Sequence, residues 1–230
     1  MTLLLFGLFF LFMLLGVPIA FAIGASTLYA LYQSGVPLMV VTQQMFQGIN
    51  SFALVAIPMF ILAGDLMAQG KVSERLVSFA DSLVGFMRGG LSVVSVMAGM
   101  FFAAISGSGA ATTAAVGSSL VPELKRKGYD PSSAASLIAA SGTIGVVIPP
   151  SVPMIIYAVI AQQSVSELFL NGFLPGLAMG VALMAIAITQ AYKRQYPKGT
   201  PLSLATMWHT FKAASWGLMT PVIILGGIFS

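Results

Sequence analysis

Ser106-Gly107-Ser108-Gly109 and Gly142-Thr143-Ile144-Gly145-Val146-Val147-Ile148-Pro149-Pro150-Ser151 interrupt two long uncharged apolar runs. In hydrocarbon each interruption frees backbone groups that lipid cannot satisfy. Such breaks persist where the freed carbonyls, amides and hydroxyls line a binding site inside the bilayer. A half-helix ending near Ser141 aims carbonyls at a cation, and one starting near Pro150 aims amides at an anion. The bland alternative for Ser106 and Ser108 is close helix packing by small residues, and for the second break a simple proline kink. The length of the second break argues against a kink, since one proline suffices. The pattern points to a transporter whose site is these two breaks.

The membrane assignment follows from composition. Hydrophobic residues make up 58% and charged residues 7% of the 230 residues, against roughly a quarter charged in soluble domains. No charge occurs in residues 1–64, 89–122, 131–166 or 168–192. Each run exceeds the ~20 residues that cross the hydrocarbon core. There is no cysteine, so no disulfide or thiolate metal site arises. The net charge of +4 comes from basic residues in short loops, a topology signal and not a nucleic-acid footprint. The apolar N-terminus lacks a basic leader and reads as a first span.

Along the chain, residues 1–70 read as N-terminal transmembrane helices. Thr2 to Tyr32 is long enough that it must tilt, kink or break near Pro18. Gln33 to Gln47 reads as an exterior loop or surface segment, and Gly48 to Gln69 as a second span kinked at Pro58. Residues 71–88 carry charges with Val72, Leu76, Phe79 and Leu83 on one face, an amphipathic helix suited to the interface. Residues 89–122 lie between basic flanks, Arg88 on one side and Lys125, Arg126 and Lys127 on the other. If both flanks are cytoplasmic, the run enters and returns. About 15 residues per arm reach ~22 Å, which suits a re-entrant hairpin. Asp130 caps the next helix and Pro131 starts it. Residues 131–166 read as one discontinuous span, with half-helices over 132–141 and 150–162. Residues 167–200 form a span and a basic loop. Residues 201–230 read as an amphipathic helix and an apolar start, over 217–229, too short to cross. The chain therefore reads as truncated.

Few other residues carry chemistry. Asp65 is the sole carboxylate within an apolar stretch, and its proximity to Lys71 suggests a solvated or paired group. His209 has no ligand partner nearby. One histidine, no cysteine and no deep carboxylate pair exclude a credible catalytic set, so no enzyme is expected.

An Ala-Ile-Pro span, the Arg88-Gly89-Gly90-Leu91 entry, the Ser-Gly-Ser-Gly tip and the Gly-Thr-Ile-Gly-Val-Val-Ile-Pro-Pro-Ser break resemble the large membrane subunit of tripartite ATP-independent periplasmic (TRAP) transporters, within the ion-transporter superfamily. The resemblance implies an all-α integral membrane protein, the half of an elevator-type transporter with a re-entrant hairpin and a discontinuous helix. It implies Na⁺ as coupling ion, no other cofactor, and residence in the bacterial inner membrane. It implies carboxylate substrates (C4-dicarboxylate or sialic-acid type) delivered by a periplasmic binding protein, and a small four-span membrane partner. Carried onto this chain, Ser106, Gly107, Ser108 and Gly109 with Gly142, Thr143 and Gly145 would bind Na⁺. Thr143, Pro149, Pro150 and Ser151 would face substrate. Many relatives have proline where Ala110 stands, and a second inverted half follows in family members. The rival readings are a stand-alone Na⁺/dicarboxylate or citrate carrier of the same superfamily and a non-transporting membrane scaffold.

Overall fold

The computed structural model describes residues 2–199 and 201–229; the outermost expected boundaries, Met1 and Ser230, and that at Thr200 lie outside these. The described residues are helical with no named strand. They divide into two compact units, residues 1–52 and 53–230.

The first unit holds α1 (Thr2–Leu14), α2 (Ile19–Gln33) and α3 (Met39–Ile49). Of the three outcomes open at Pro18, the chain breaks. Gly16 adopts φ +79° and Pro18 caps α2, so α1 and α2 are separate helices packed together. Each is only ~20 Å long. The buried residues of α2, Ala22, Ser26 and Ala30, recur every four positions, the small-residue stripe that lets membrane helices approach. The segment expected as loop is largely α3. The expected span from Gly48 is shorter, because α3 runs to Ile49 and Asn50 ends it outside the helical region at φ −84°, ψ 59°.

The second unit comprises α4 (Phe52–Gln69), α5 (Val72–Val84), α6 (Gly90–Ser106), α7 (Gly109–Arg126), α8 (Pro131–Thr143), α9 (Val152–Ala161), α10 (Val165–Lys193) and α11 (Leu204–Phe229). Helices α6 and α7 pack together as a hairpin, and α8 packs against both. Leu76, Ala98, Phe102, Ile105, Leu120 and Ile138 belong to one buried cluster at this junction. Ile144 and Ile148, from the interrupted stretch, join Val96, Ala103 and Ala187 in a second.

Three expectations change in this unit. The apolar face of α5 is covered by protein: Leu76 and Ala80 are buried and join residues of α6 in one cluster. Gly85 meets Gly90 at one end, while Val72 and Ile105 both border Gly217 at the other, so α5 runs antiparallel beside α6. The helix α8 continues through Gly142 and Thr143, and a single 3-10 turn, Ile144–Val146, follows. The interruption therefore spans 144–151, later than expected. Lastly, α11 is one helix of 26 residues, because no breaker separates the amphipathic start from the apolar end and Pro221 is tolerated within it. Among the described residues, α10 and α11 are long and apolar enough to cross a membrane.

The basic loops converge at one end of this unit. The Gly89 amide donates to the Pro197 carbonyl at 3.0 Å, and Arg88 pairs with Lys198 in an isolated antiparallel bridge. Arg194 forms an ion pair with Asp130 at 3.1 Å. The rings of Tyr129 and Tyr196 lie 4.1 Å apart between centroids, tilted by 33°, and burial pushes the Tyr129 phenol up to about 12. Asp130 accepts from the Ser133 amide at 2.9 Å as the cap of α8. Hydrogen bonding from the Ser133 side chain first, then from its amide, and then Arg194 hold its carboxyl below the usual range.

Candidate functional site

The hairpin tip lands on the interrupted stretch. Gly107 ends α6 at φ +60°, a conformation open chiefly to glycine. The tip then approaches so closely that a Cβ at Gly107 would stand 2.5 Å from the Pro150 carbonyl oxygen. The Val152 amide donates to the Gly107 carbonyl at 3.1 Å. The start of α9 is thus satisfied by the tip itself, not by water. A second glycine pair closes the other side. A Cβ at Gly109 would sit 3.0 Å from the Gly142 carbonyl, and one at Gly145 would sit 3.1 Å from the Ser108 carbonyl. At Gly142 it would collide with the Thr113 hydroxyl. Five of the glycines and serines singled out by sequence (Gly107, Ser108, Gly109, Gly142 and Gly145) therefore face one another across one seam.

Oxygens crowd one side of that seam. The Ser106 and Thr112 hydroxyls lie 2.9 Å apart, and the Thr112 hydroxyl donates to the Ser108 carbonyl at 2.8 Å. Ser106 reaches the same carbonyl at 3.3 Å. Thr112 is fully buried and Ser106 nearly so. Three hard oxygens in a water-poor setting suit a cation that prefers oxygen ligands. Thr112 was not among the residues singled out from the sequence. Its signal was available, because it lies four positions after Ser108, one turn on along the same helix face. Ser108 itself caps α7, accepting from the Ala111 amide at 3.3 Å, so it has a structural task as well.

Around the corner a groove of about 550 Å³ is lined by Gly109, Ala110, Thr113, Ala139, Gly142 and Thr143, among others. Its floor is made of small side chains and the backbone of the seam. Thr143 is exposed there, and its hydroxyl donates back to the Ala140 carbonyl at 2.7 Å. The remaining expected substrate residues lie elsewhere. Pro149, Pro150 and Ser151 are buried beneath the tip, and the Pro149-Pro150 peptide is cis. The Ser151 hydroxyl donates to the Val146 carbonyl at 2.6 Å and accepts from the Met154 amide as the cap of α9. Of the four, only Thr143 opens onto the groove.

A glycine ladder on α10 seats the interruption from behind. A Cβ at Gly172 would meet the Val147 carbonyl at 2.7 Å, and one at Gly176 would meet Ile148 at 2.5 Å. At Gly180 it would collide with Met100. Spaced every four residues, these positions let α10 lie against backbone, as small residues do in membrane bundles. The ladder was legible as a period in the sequence but its partner was not.

Comparison with known proteins shows the family of the chain. Residues 6–230 match the family described as the Tripartite ATP-independent periplasmic transporter, DctM component. The chain is 45% identical over 98% of its length to the "Isethionate TRAP transporter permease protein DctMQ" of Oleidesulfovibrio alaskensis, of which it covers 36%. It is 38% identical over 100% of its length to the "C4-dicarboxylate TRAP transporter large permease protein DctM" of Rhodobacter capsulatus, covering 56% of it. It is 42% identical over 94% of its length to the "2,3-diketo-L-gulonate TRAP transporter large permease protein YiaN" of Escherichia coli, covering 51%. The chain thus spans about half the length, or less, of these curated relatives. An all-helical integral membrane protein whose motif-bearing breaks meet in one seam, it belongs to the DctM family of TRAP transporter permeases.

Proposed function

We propose that the protein to which this chain belongs imports carboxylates through the bacterial inner membrane by Na⁺ symport. A periplasmic binding protein delivers the substrate, and a small four-span membrane subunit completes the complex. The observation that carries the reading is the seam itself. A glycine-rich hairpin tip and a helix interruption close over a cluster of buried oxygens beside an open groove. In this reading α6 and α7 enter from the basic end and return to it. Their tip and the interrupted α8–α9 pair then move together as the carrying body of an elevator.

The named relatives act on isethionate, C4-dicarboxylates and 2,3-diketo-L-gulonate by their names, all anions. No Lys or Arg lies in residues 89–122 or 131–166, so this part of the site offers an anion no formal positive charge. Backbone amides, hydroxyls such as Thr143 and a bound Na⁺ supply the attraction, a helix N-terminus contributing roughly half a charge. Na⁺ binds through Ser106, Thr112 and the Ser108 carbonyl, with the backbone of Gly107, Gly109, Gly142 and Gly145 and Thr143 completing the shell. Substrate touches Thr143 from the groove, and Pro149, Pro150 and Ser151 support the pocket from beneath.

The deciding experiment is uptake by the complete reconstituted complex across a Na⁺ series, with a proton gradient as control. Substrate affinity falls as Na⁺ is withdrawn. Uptake that ignores Na⁺ and follows the proton gradient overturns the coupling. A binding protein that proves dispensable turns the reading toward a stand-alone carrier.

A further inference from the structure

Among the described residues, the Arg88 Nε is the only buried side-chain nitrogen or oxygen without a hydrogen-bond partner. Native chains pair the large majority of such groups, so an orphan has a cause. The residue opposite it is another cation. Arg88 and Lys198 face each other in the isolated antiparallel bridge. Residues opposite in such a pair send their side chains to one face, with Cβ atoms about 5 Å apart, and like charges there repel. No carboxylate of this chain relieves them. Asp130 holds Arg194, Glu123 holds Arg126 and Lys127, and no ion pair among the described residues includes Arg88, Lys198 or Asp81. Glycine keeps the two cations together. The Gly89 amide donates to the Pro197 carbonyl at 3.0 Å, a Cβ at Gly89 would collide with Ala191, and one at Gly199 would collide with the Gly85 carbonyl. The two segments are pressed backbone to backbone, so Arg88 and Lys198 cannot drift apart without opening this joint.

Place selects the anion. Lys198 lies in the connection between α10, which ends at Lys193, and α11, which begins at Leu204. Both helices are long and apolar enough to cross a membrane. A short connection between two such helices stands at the bilayer surface, whatever the depth of the hairpin tip. Tyr192 is 59% exposed and Phe86 42%, rings suited to the headgroup level where aromatic side chains gather. We infer that Arg88 and Lys198 form a binding site for the headgroup phosphate of an anionic membrane phospholipid. The phosphate diester accepts from the planar guanidinium of Arg88, and the Lys198 ammonium supplies the second charge. Basic pockets between membrane helices recognise anionic headgroups on the same terms. The acyl chains leave past Phe86 into the bilayer.

The test uses the complete complex purified in detergent and follows its thermal unfolding midpoint. The probes are dioctanoyl-phosphatidylglycerol, dioctanoyl-phosphatidylcholine and inorganic phosphate at equal concentrations. Phosphatidylglycerol raises the midpoint, and the other two do not. Lys198 is exposed, so Lys198→Gln leaves the lipid-free midpoint unchanged. It raises the phosphatidylglycerol concentration for half the shift about tenfold, the loss of one charge-assisted contact. Arg88→Gln does the same and Arg88→Lys less, since an ammonium lacks the fork. If Arg88→Gln fails to fold, Lys198→Gln decides alone. Lys125→Gln, at the same end, responds as the parent does; an equal loss there shows diffuse attraction to basic loops and overturns the site. A shift by inorganic phosphate as large as that by lipid overturns the lipid as its source. A parent indifferent to phosphatidylglycerol, or a shift indifferent to Lys198→Gln, overturns the inference and leaves the Arg88 acceptor to protein elsewhere in the complex. Neither Na⁺ nor substrate enters the measurement, so this inference and the transport reading fail separately.

Discussion

At the residue scale, glycine determines whether the seam can close. Gly107 has both a left-handed φ of +60° and a backbone oxygen 2.5 Å from where a Cβ would stand. Gly107→Ala should therefore cost uptake by the complete complex at least tenfold and lower the midpoint of thermal unfolding, because neither obstacle relaxes without moving the tip. Gly142 presents a gentler case. An added methyl there collides with the Thr113 hydroxyl, whereas the Gly109 carbonyl is 3.0 Å away. Gly142→Ala is expected to lose most transport, and Gly142→Ala with Thr113→Ala to recover part of it; equal defects in the two would show that the hydroxyl is not the obstacle. These positions also mark how much of the site could be read beforehand. Glycine clusters stand out in any apolar run, so the two halves of the seam were found separately. Thr112 was missed although its place one turn after Ser108 was legible, whereas the burial of Ser151 was not legible, because it depends on which helices meet.

At the element scale, Ser151 and Thr143 separate a structural role from a binding one, though both are hydroxyls of the same interruption. Ser151 is fully buried, capping α9 and holding the Val146 carbonyl. Ser151→Ala leaves that carbonyl without its donor, a loss of about 1–3 kcal/mol, visible as a lower unfolding temperature in detergent. Thr143→Ala, exposed on the groove, should leave that temperature unchanged while raising the substrate concentration for half-maximal uptake. The reverse pattern would move substrate contact to Ser151. Helix α8 adds a pH dependence through its cap. Asp130 has a carboxyl held below its ordinary value in the fold by Ser133 and then Arg194. Its contribution is therefore complete above the ordinary carboxylate range and is lost as pH falls through the lowered value. Unfolding midpoints of the parent and Asp130→Ala should differ at neutral pH and converge in strong acid. A difference that persisted there would assign the stabilisation to something other than the charge.

At the scale of the whole molecule, the convergence of basic loops ties topology to fold. Arg88, Asp130, Arg194 and Lys198 come from three separate connections yet meet at one end of the second unit. Basic residues in short loops resist translocation, and on that ground the cytoplasmic side is expected for that end. Cysteines introduced at Arg126 and Lys198 in intact cells should both escape an impermeant thiol reagent applied from outside. Labelling of either places its loop on the periplasmic side and removes the basis for a hairpin that returns to its side of entry.

The sequence by itself determined the membrane class, the existence of both breaks and the place of the first, the cap at Asp130 and the family resemblance. Each of these is written locally, in the length of an uncharged run or the conformational needs of glycine and proline. The tertiary structure alone decided what those breaks touch. It set α5 against α6, extended α8 through Thr143, joined residues 204–229 into one helix, and buried Pro149, Pro150 and Ser151 beneath the tip. An amphipathic face carries no label saying whether lipid or another helix will cover it. A helix stop in a run of Gly, Thr and Ile is weak enough for neighbouring packing to shift it by a turn. The physical reason is the same in each instance: propensity acts within a few residues, whereas the partner of an apolar face or a freed carbonyl is chosen by the packing of the whole unit.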